Sequence, residues 1–234
     1  MKKLFLGLFL VYLFIFQAQN VFAAKDILLI DDSDKLYQKR VMEIGYNILN
    51  SNKIAKRIIF GVESNRTIVN AMARMDNHSV TIYKGMFRYI ENDDELAFIL
   101  AHEIAHNLDF YNGFWQRMGM QYHPRYYERK ADLTALDLMS NAGYNPLGSI
   151  TIGHKVFGES LLFEVFCSHP QSSKRIAMLY VHIKHKYPKY LHSKEYQDNI
   201  YYQNFLMSSQ KAIEEANNKY CQMKQKEERF IEVK

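Results

Sequence analysis

Hydrophobic and polar positions along the chain predict a few short strands followed by several helices. Residues with high β-propensity form three runs, at 57–62, 67–72 and 79–83, and turn-forming residues separate these runs. Apolar residues at helical spacing occur before the runs, at about 33–49, and through most of the chain after residue 92. This order indicates an α+β fold that is mainly helical and carries one small β-sheet.

Capping residues mark the ends of two central helices. Asn92 can cap a helix, and Glu95 three residues later completes a capping box. A second helix is predicted from Pro124, a favoured first-turn residue, to about Asn141. Gly143 then provides a left-handed C-terminal cap.

The first residues have the layout of a secretory signal peptide. Lys2 and Lys3 give a positive start, Leu4–Phe16 is an apolar run, and Val21–Ala23 has the small residues of a cleavage position. The run is shorter than the about 20 apolar residues of a membrane span. We therefore expect residues 1–23 to be removed on export, and retention of the segment as a membrane anchor is the alternative.

Net charge and cysteine content bear on which classes of partner the chain can bind and on its cellular compartment. The formal charge of +5 is mild, and the lysines of the tail at 219–234 alternate with glutamates, so nucleic acid is not an expected partner. Cys167 and Cys221 can form one disulfide in an exported protein, and a buried free thiol is the alternative.

A pentapeptide inside the first central helix carries the chemistry. His102 and His106 of the sequence HEIAH are four residues apart, so both imidazoles project from one helix face. Both ring nitrogens can then reach one metal ion at about 2 Å. Glu103 lies nearby but turned away, where it can take a proton from the attacking water. The alternative is a pair of surface histidines with a salt-bridging glutamate, which the apolar residues before the motif disfavour.

A third ligand is predicted on the second central helix. A catalytic zinc takes three protein ligands and keeps one position open. One class of such enzymes has a Gly and a further His shortly after the motif, but Asp109 and Asn112 occupy those positions here. Glu128 can instead complete the ligand set, and Asp132, on the same helix face, can accept the second N–H of a ligating histidine. The alternative is a solvated charged face.

The dipeptide His169-Pro170 begins a third predicted helix that also carries Arg175. A His-Pro pair can be no more than a helix start. Near a zinc ion, however, His169 can donate a hydrogen bond to the oxyanion that forms when water attacks a carbonyl. Arg175 can do the same, or it can brace an acidic residue.

These segments together resemble a known family. HEIAH at 102–106, ERKAD at 128–132 and SHPQSSKR at 168–175 are similar to the gluzincin metallopeptidases that include HtpX, the CAAX prenyl proteases and the periplasmic BepA-type and LoiP-type enzymes. Asn70-Ala71 matches the family's asparagine-alanine signature before the HExxH helix, and the resemblance covers about 67–183. Because the multiple membrane spans of HtpX and the prenyl proteases are missing, the sequence resembles the soluble exported branch.

The resemblance implies a zinc endopeptidase that acts on proteins and peptides. One Zn²⁺ per chain is expected, bound by the two motif histidines and the glutamate of the following helix. The family's cleft implies that substrate binds near Asn70 and Ala71, with the peptide added as a strand at an edge around 78–83. The small sheet is therefore expected next to the HExxH helix.

Domain organisation and cellular role follow from these expectations. The expected parts of the chain are a signal peptide at 1–23, a zinc metallopeptidase domain at 24–193 and a C-terminal helical extension at 194–234. The expected location is the periplasm and the expected role is envelope protein quality control, in association with membrane-proximal or envelope proteins.

Two other functions and one regulatory device stay open at this point. The chain can be a zinc hydrolase of a non-peptide substrate, or a periplasmic chaperone or assembly factor with a zinc site. Glu103 disfavours the latter, because a structural zinc site has four closed ligands and needs no base. The apolar stretch 144–168 can be a lid over the site, hinged at its glycines, or a core helix.

Overall fold

The computed structural model describes four parts of the chain, namely residues 32–113, 118–119, 122–158 and 173–232. The chain separates into two compact units, 1–39 and 40–234, and only the helical residues 32–39 of the first unit are described. The predicted signal peptide lies outside the described residues. Within the described parts, no helix combines the length and the hydrophobicity needed to cross a membrane.

The architecture is α+β and mainly helical, as the sequence predicts. In chain order the elements are α1 (Asp32–Ser51), β1 (Ile59–Glu63), β2 (Ala71–Arg74), β3 (Ser79–Tyr83), α2 (Asp93–Phe110), α3 (Pro124–Asn141), α4 (Gly148–Gly158), α5 (Ser173–Lys186), α6 (Lys194–Gln197), α7 (Ile200–Ser208) and α8 (Gln210–Glu232). Short 3₁₀ helices follow β3 and α5, at Lys84–Arg88 and Pro188–His192.

The three strands form one sheet beside α2, in the order β1-β3-β2. β1 runs parallel to β3 and β2 runs antiparallel to it. β3 is therefore paired on both sides, and the expectation of a free edge around 78–83 is wrong. Among the described residues β2 pairs with β3 alone, so the open edge nearest the predicted substrate residues belongs to Ala71–Arg74.

A side chain explains why β2 begins later than the predicted strand at 67–72. The Asn65 carboxamide oxygen accepts hydrogen bonds from the backbone N–H groups of Thr67 and Ile68, at 2.9 and 3.2 Å. It also accepts one from the Thr67 hydroxyl at 2.7 Å. These bonds hold the backbone in a turn, because an asparagine side chain competes with strand pairing for the same groups.

Helix α2 begins as its capping signals predict and is buried on nearly every side. The Asn92 side chain accepts a hydrogen bond from the Glu95 N–H at 3.0 Å. Glu95 reaches back one residue further than in a standard capping box and accepts from the Glu91 N–H at 2.7 Å. Leu96, Leu100 and Ile104 are fully buried, so both motif histidines lie in the interior.

Helix α3 has the predicted bounds because its C-terminal turn is closed by a Schellman motif. Gly143 adopts φ +89°, a conformation that favours glycine. The Gly143 N–H donates to Ser140 O at 3.2 Å and the Tyr144 N–H donates to Met139 O at 3.0 Å. The helix packs along α2 and brings its middle turns to the HEIAH face.

Helix α4 shows which interpretation, lid or core helix, applies to the first part of the stretch 144–168. Ile150 and Ile152 are buried, and α4 packs against α2, α5 and α7. The first part of the stretch is therefore core helix, with Gly148 and Gly153 inside it. Residues 159–168 lie outside the described parts, together with Pro170, so helix α5 is described only from Ser173.

The residues after 193 form helices that pack onto the same body. Ala216 of α8 joins Ala177 and Val181 of α5 in an apolar cluster. The Tyr196 hydroxyl of α6 donates a hydrogen bond to Asp94 Oδ2 in the first turn of α2, at 2.8 Å. Contacts from this C-terminal part thus reach the N-terminal end of the motif helix.

Candidate metal centre

Three side chains from α2 and α3 place donor atoms close together. His102 Nε2 and His106 Nε2 are 3.1 Å apart. Glu128 Oε1 lies 3.2 Å from His106 Nε2, and Glu128 Oε2 lies 3.6 Å from His102 Nε2. All three residues are buried, with 4–8 % of their surface exposed. The predicted ligand set therefore meets in space.

The spacing and chemistry of these donors fit a zinc ion. Nitrogen and oxygen ligands at about 2.0–2.1 Å in a tetrahedral arrangement lie about 3.3 Å from one another. The two histidine nitrogens lie 3.1 Å apart and Glu128 Oε1 lies 3.2 Å from His106 Nε2, both near that value, and one ligand atom from each residue lies within 4.8 Å of the others. Two imidazoles and one carboxylate are also a known donor set of catalytic zinc, with the fourth position left open. The residues present thus fit the metal that the sequence predicts.

Asp132 and Arg175 lie next to the three donor residues and contact two of them, His102 and Glu128. Asp132 Oδ1 lies 3.0 Å from His102 Nδ1, so the other nitrogen of the ring points to the donor cluster. The Arg175 guanidinium holds both carboxylates of α3: its Nη2 donates to Asp132 Oδ1 at 2.6 Å, its Nε donates to Asp132 Oδ2, and its Nη1 lies 2.9 Å from Glu128 Oε2. Of the two roles left open for Arg175, these contacts are those of a brace.

The charges of this group shift several pKa values. Burial lowers the pKa of His102, but hydrogen bonds with Asp132 and Glu128 outweigh burial and raise it to about 9. Burial lowers the pKa of His106 below its ordinary value, against the opposing effect of Glu128. Burial would raise the pKa of Asp132, but the Arg175 guanidinium holds that pKa below the usual range. Asp132 therefore stays ionised and can orient His102.

Glu103 faces a small apolar cavity beside the donor cluster. The side chain is only 3 % exposed. The cavity, of about 90 Å³, is lined by Glu103 and His102 together with the predicted substrate residues Asn70 and Ala71. Phe98, Ile152 and Val156 supply apolar walls. The cavity volume is far below the roughly 300–1,000 Å³ of whole ligand pockets. It suits a single side chain.

Further polar residues, to which the sequence analysis gave no role in the site, tie α2 to the neighbouring elements. Asn107, directly after the motif, donates to Ser79 O at 3.1 Å and contacts His78 Nδ1 at 3.2 Å, which ties α2 to β3. Lys130 Nζ donates to Asp109 Oδ1 at 2.5 Å, which ties α3 to α2. Both Asn107 and Asp109 are buried, and a buried polar side chain needs such partners.

A second polar network joins α2 to α4. Lys155 is 6 % exposed, and its Nζ lies 2.6 Å from Glu95 Oε1 and 3.2 Å from Glu91 Oε2. The Thr151 hydroxyl donates to Glu95 Oε1 at 2.6 Å. Glu95, predicted as a capping residue, thus also anchors the helix that forms part of the cavity wall.

All the predicted site residues that the structure describes lie at this centre. The structure brings together the three donors, Glu103, Asp132, Arg175, Asn70 and Ala71. His169 lies outside the described residues, as does Cys167, whose pairing with Cys221 the sequence leaves open.

An HExxH helix, a carboxylate on the next long helix and an α+β fold define the class of zinc-dependent peptidases. Comparison with protein families agrees: the model of Peptidase family M48 matches residues 36–112 and 108–182. The chain belongs to peptidase family M48, which implies zinc metallopeptidase activity on protein substrates. Comparison with curated proteins finds no match.

Proposed function

We propose that this chain is an exported zinc-dependent endopeptidase that hydrolyses proteins of the cell envelope as part of their quality control. The observation that carries the peptidase assignment is the donor triad at zinc spacing with a buried glutamate next to it. The pattern of residues 1–23 supports export. Membership of the family supports a protein substrate.

Each residue of the centre has a role in the proposed reaction. His102, His106 and Glu128 would hold the zinc, which would polarise the scissile carbonyl and lower the pKa of the attacking water. Glu103 accepts a proton from the attacking water and passes it to the leaving amine. Asp132 fixes the ring of His102. His169 is the proposed donor to the oxyanion.

The surroundings of the centre support an endopeptidase. The open edge of β2 at Ala71–Arg74 offers backbone groups to an extended peptide, which would add as an antiparallel or parallel strand. Ala71 also lines the apolar cavity next to Glu103, so a peptide on this edge can place one hydrophobic side chain in it. A peptide bound along a strand edge needs no free terminus, because backbone pairing recognises internal residues.

The proposed chemistry is tested by replacing the base and leaving the ligands. Glu103→Gln should keep about one zinc per chain and lose nearly all hydrolysis of casein, since only the proton acceptor is removed. His106→Ala is the matched comparison, because it should lose zinc as well as activity. Zinc content is measured by metal analysis and cleavage by fluorescent casein.

Two outcomes would contradict the assignment. Loss of zinc from Glu103→Gln would make Glu103 a ligand, and wild-type hydrolysis of ester substrates with no hydrolysis of casein would make the chain a non-peptide hydrolase. Export is tested separately by fractionating cells and sequencing the N-terminus of the mature protein, which should begin after Ala23.

A further inference from the structure

A basic groove adjoins the metal centre and shares part of its lining with the apolar cavity. The groove, of about 680 Å³, lies within the size range of ligand pockets. Glu128 lines the groove and not the cavity, Glu103 lines the cavity and not the groove, and Asp132 and Arg175 line both. A substrate that crosses the centre from the cavity would therefore continue into this groove.

The groove carries more positive charge than its acidic residues offset. Four solvent-accessible cations line it: Arg125, Arg129, Lys174 and Lys219. Its two carboxylates, Glu128 and Asp132, are already held by Arg175 and the histidines. Among the described residues, Lys174 has an acidic partner, Glu215 at 3.9 Å, and both side chains are more than half exposed. No described acidic side chain forms an ion pair with Arg125, Arg129 or Lys219.

We propose that this groove is a substrate subsite that selects acidic peptide segments on one side of the scissile bond. The inference rests on the proposed function, because it takes the donor cluster as the cleavage point. Charge of one sign in a cleft attracts the opposite sign more strongly than the same charge on a flat face. The cations come from α3, α5 and α8, and Met178 and Leu133 provide apolar surface between them. Such a cleft suits a peptide strand with carboxylate side chains.

Matched peptides that share one scissile sequence test the proposal. One carries aspartates on one side of the cleavage site, a second carries them on the other side, and a third carries asparagines in both places. In about 0.01 M salt, kcat/KM for one acidic peptide should exceed that of the asparagine peptide by about tenfold, since each exposed ion pair contributes a factor of roughly 1.5 to 5. In about 1 M salt, where the Debye length is about 3 Å, the gain should disappear.

Variants test whether the higher kcat/KM for the acidic peptide depends on the cations of the groove. The gain should be lost when four residues are changed together: Arg125→Gln, Arg129→Gln, Lys174→Gln and Lys219→Gln. Lys184→Gln, an exposed cation on α5 outside the groove, should keep it. An equal gain for both acidic peptides would show general attraction to a basic protein and would overturn the proposal. Binding of anionic phospholipid vesicles in place of the acidic peptides would overturn it as well.

A binding measurement separates failure of the groove from failure of the peptidase. Fluorescence anisotropy of the three labelled peptides on Glu103→Gln protein needs no cleavage. If no peptide is cut by the wild type but one acidic peptide binds about tenfold more tightly, the proposed function fails and the groove stands. If cleavage is normal and neither acidic peptide binds more tightly than the asparagine peptide, the groove proposal fails alone.

Discussion

Replacing Arg175 tests whether it braces the metal centre or contacts the reacting carbonyl. Its guanidinium meets Asp132 through two nitrogens and Glu128 through a third, and its side chain is 13 % exposed. Arg175→Met would remove the guanidinium that contacts both buried carboxylates. Removing one partner of a buried ion pair costs about 3–5 kcal/mol of folding free energy. We expect a loss of that size in urea unfolding of the metal-free protein.

The lysine variant separates the two roles. Arg175→Lys keeps the charge but loses the planar fork that holds Asp132 and Glu128 at once. Mispositioned supporting residues lower metal affinity by roughly 10- to 100-fold, so we expect a weaker apparent affinity for zinc in a competition assay. At saturating zinc, kcat should return to within about threefold of the wild type, because a brace acts only through the ligands. A fall of roughly 10²- to 10³-fold at saturating zinc is the loss expected of an oxyanion donor, and it would refute the bracing role.

Two further predictions concern pH and packing. The pKa of His102 is raised to about 9, so the protonated imidazole stabilises the fold of the metal-free protein. This stabilisation is complete below pH 6.5 and is lost as the pH rises through about 9. Zinc must displace that proton, so its apparent affinity should rise about tenfold per pH unit from about pH 7 and level off near pH 9; a flat profile would contradict this. A Cβ on Gly148 would lie 2.6 Å from the Asp94 backbone carbon. Gly148→Ala should therefore lower the free energy of unfolding by about 1–3 kcal/mol, whereas Gly61→Ala, with no atom within 4 Å of the added carbon, should leave it within about 1 kcal/mol.

The helices of the centre were predictable because their signals are local. Asn92 and Glu95 define the start of α2 within four residues, and Gly143 closes α3 by bonds within one turn. The four-residue spacing of the motif places both imidazoles on one face in any α-helix. Local geometry therefore predicted which side chains can meet one ion.

The sheet was less predictable because strand identity depends on competing bonds. The run at 67–72 has the composition of a strand, but Asn65 takes up the N–H groups of Thr67 and Ile68. Which strand forms the edge depends on pairing order, and β3 became central only because β1 and β2 pair with it from opposite sides. No period in the sequence reports that order.

The remaining feature of the centre, the packing of α2 and α3 against each other and against α4 and α5, depends on pairs far apart in sequence. Lys130 and Asp109, Arg175 and Asp132, and Lys155 and Glu95 are separated by 21, 43 and 60 residues. On the sequence alone, ERKAD has the composition of a solvated helix face. Burial separates the two interpretations: Asp132 is 2 % exposed and Asp109 5 %, and a buried carboxylate is costly unless a cation meets it. The pairing partners are therefore fixed by the fold, and through them the fold holds the three donor residues at their spacing.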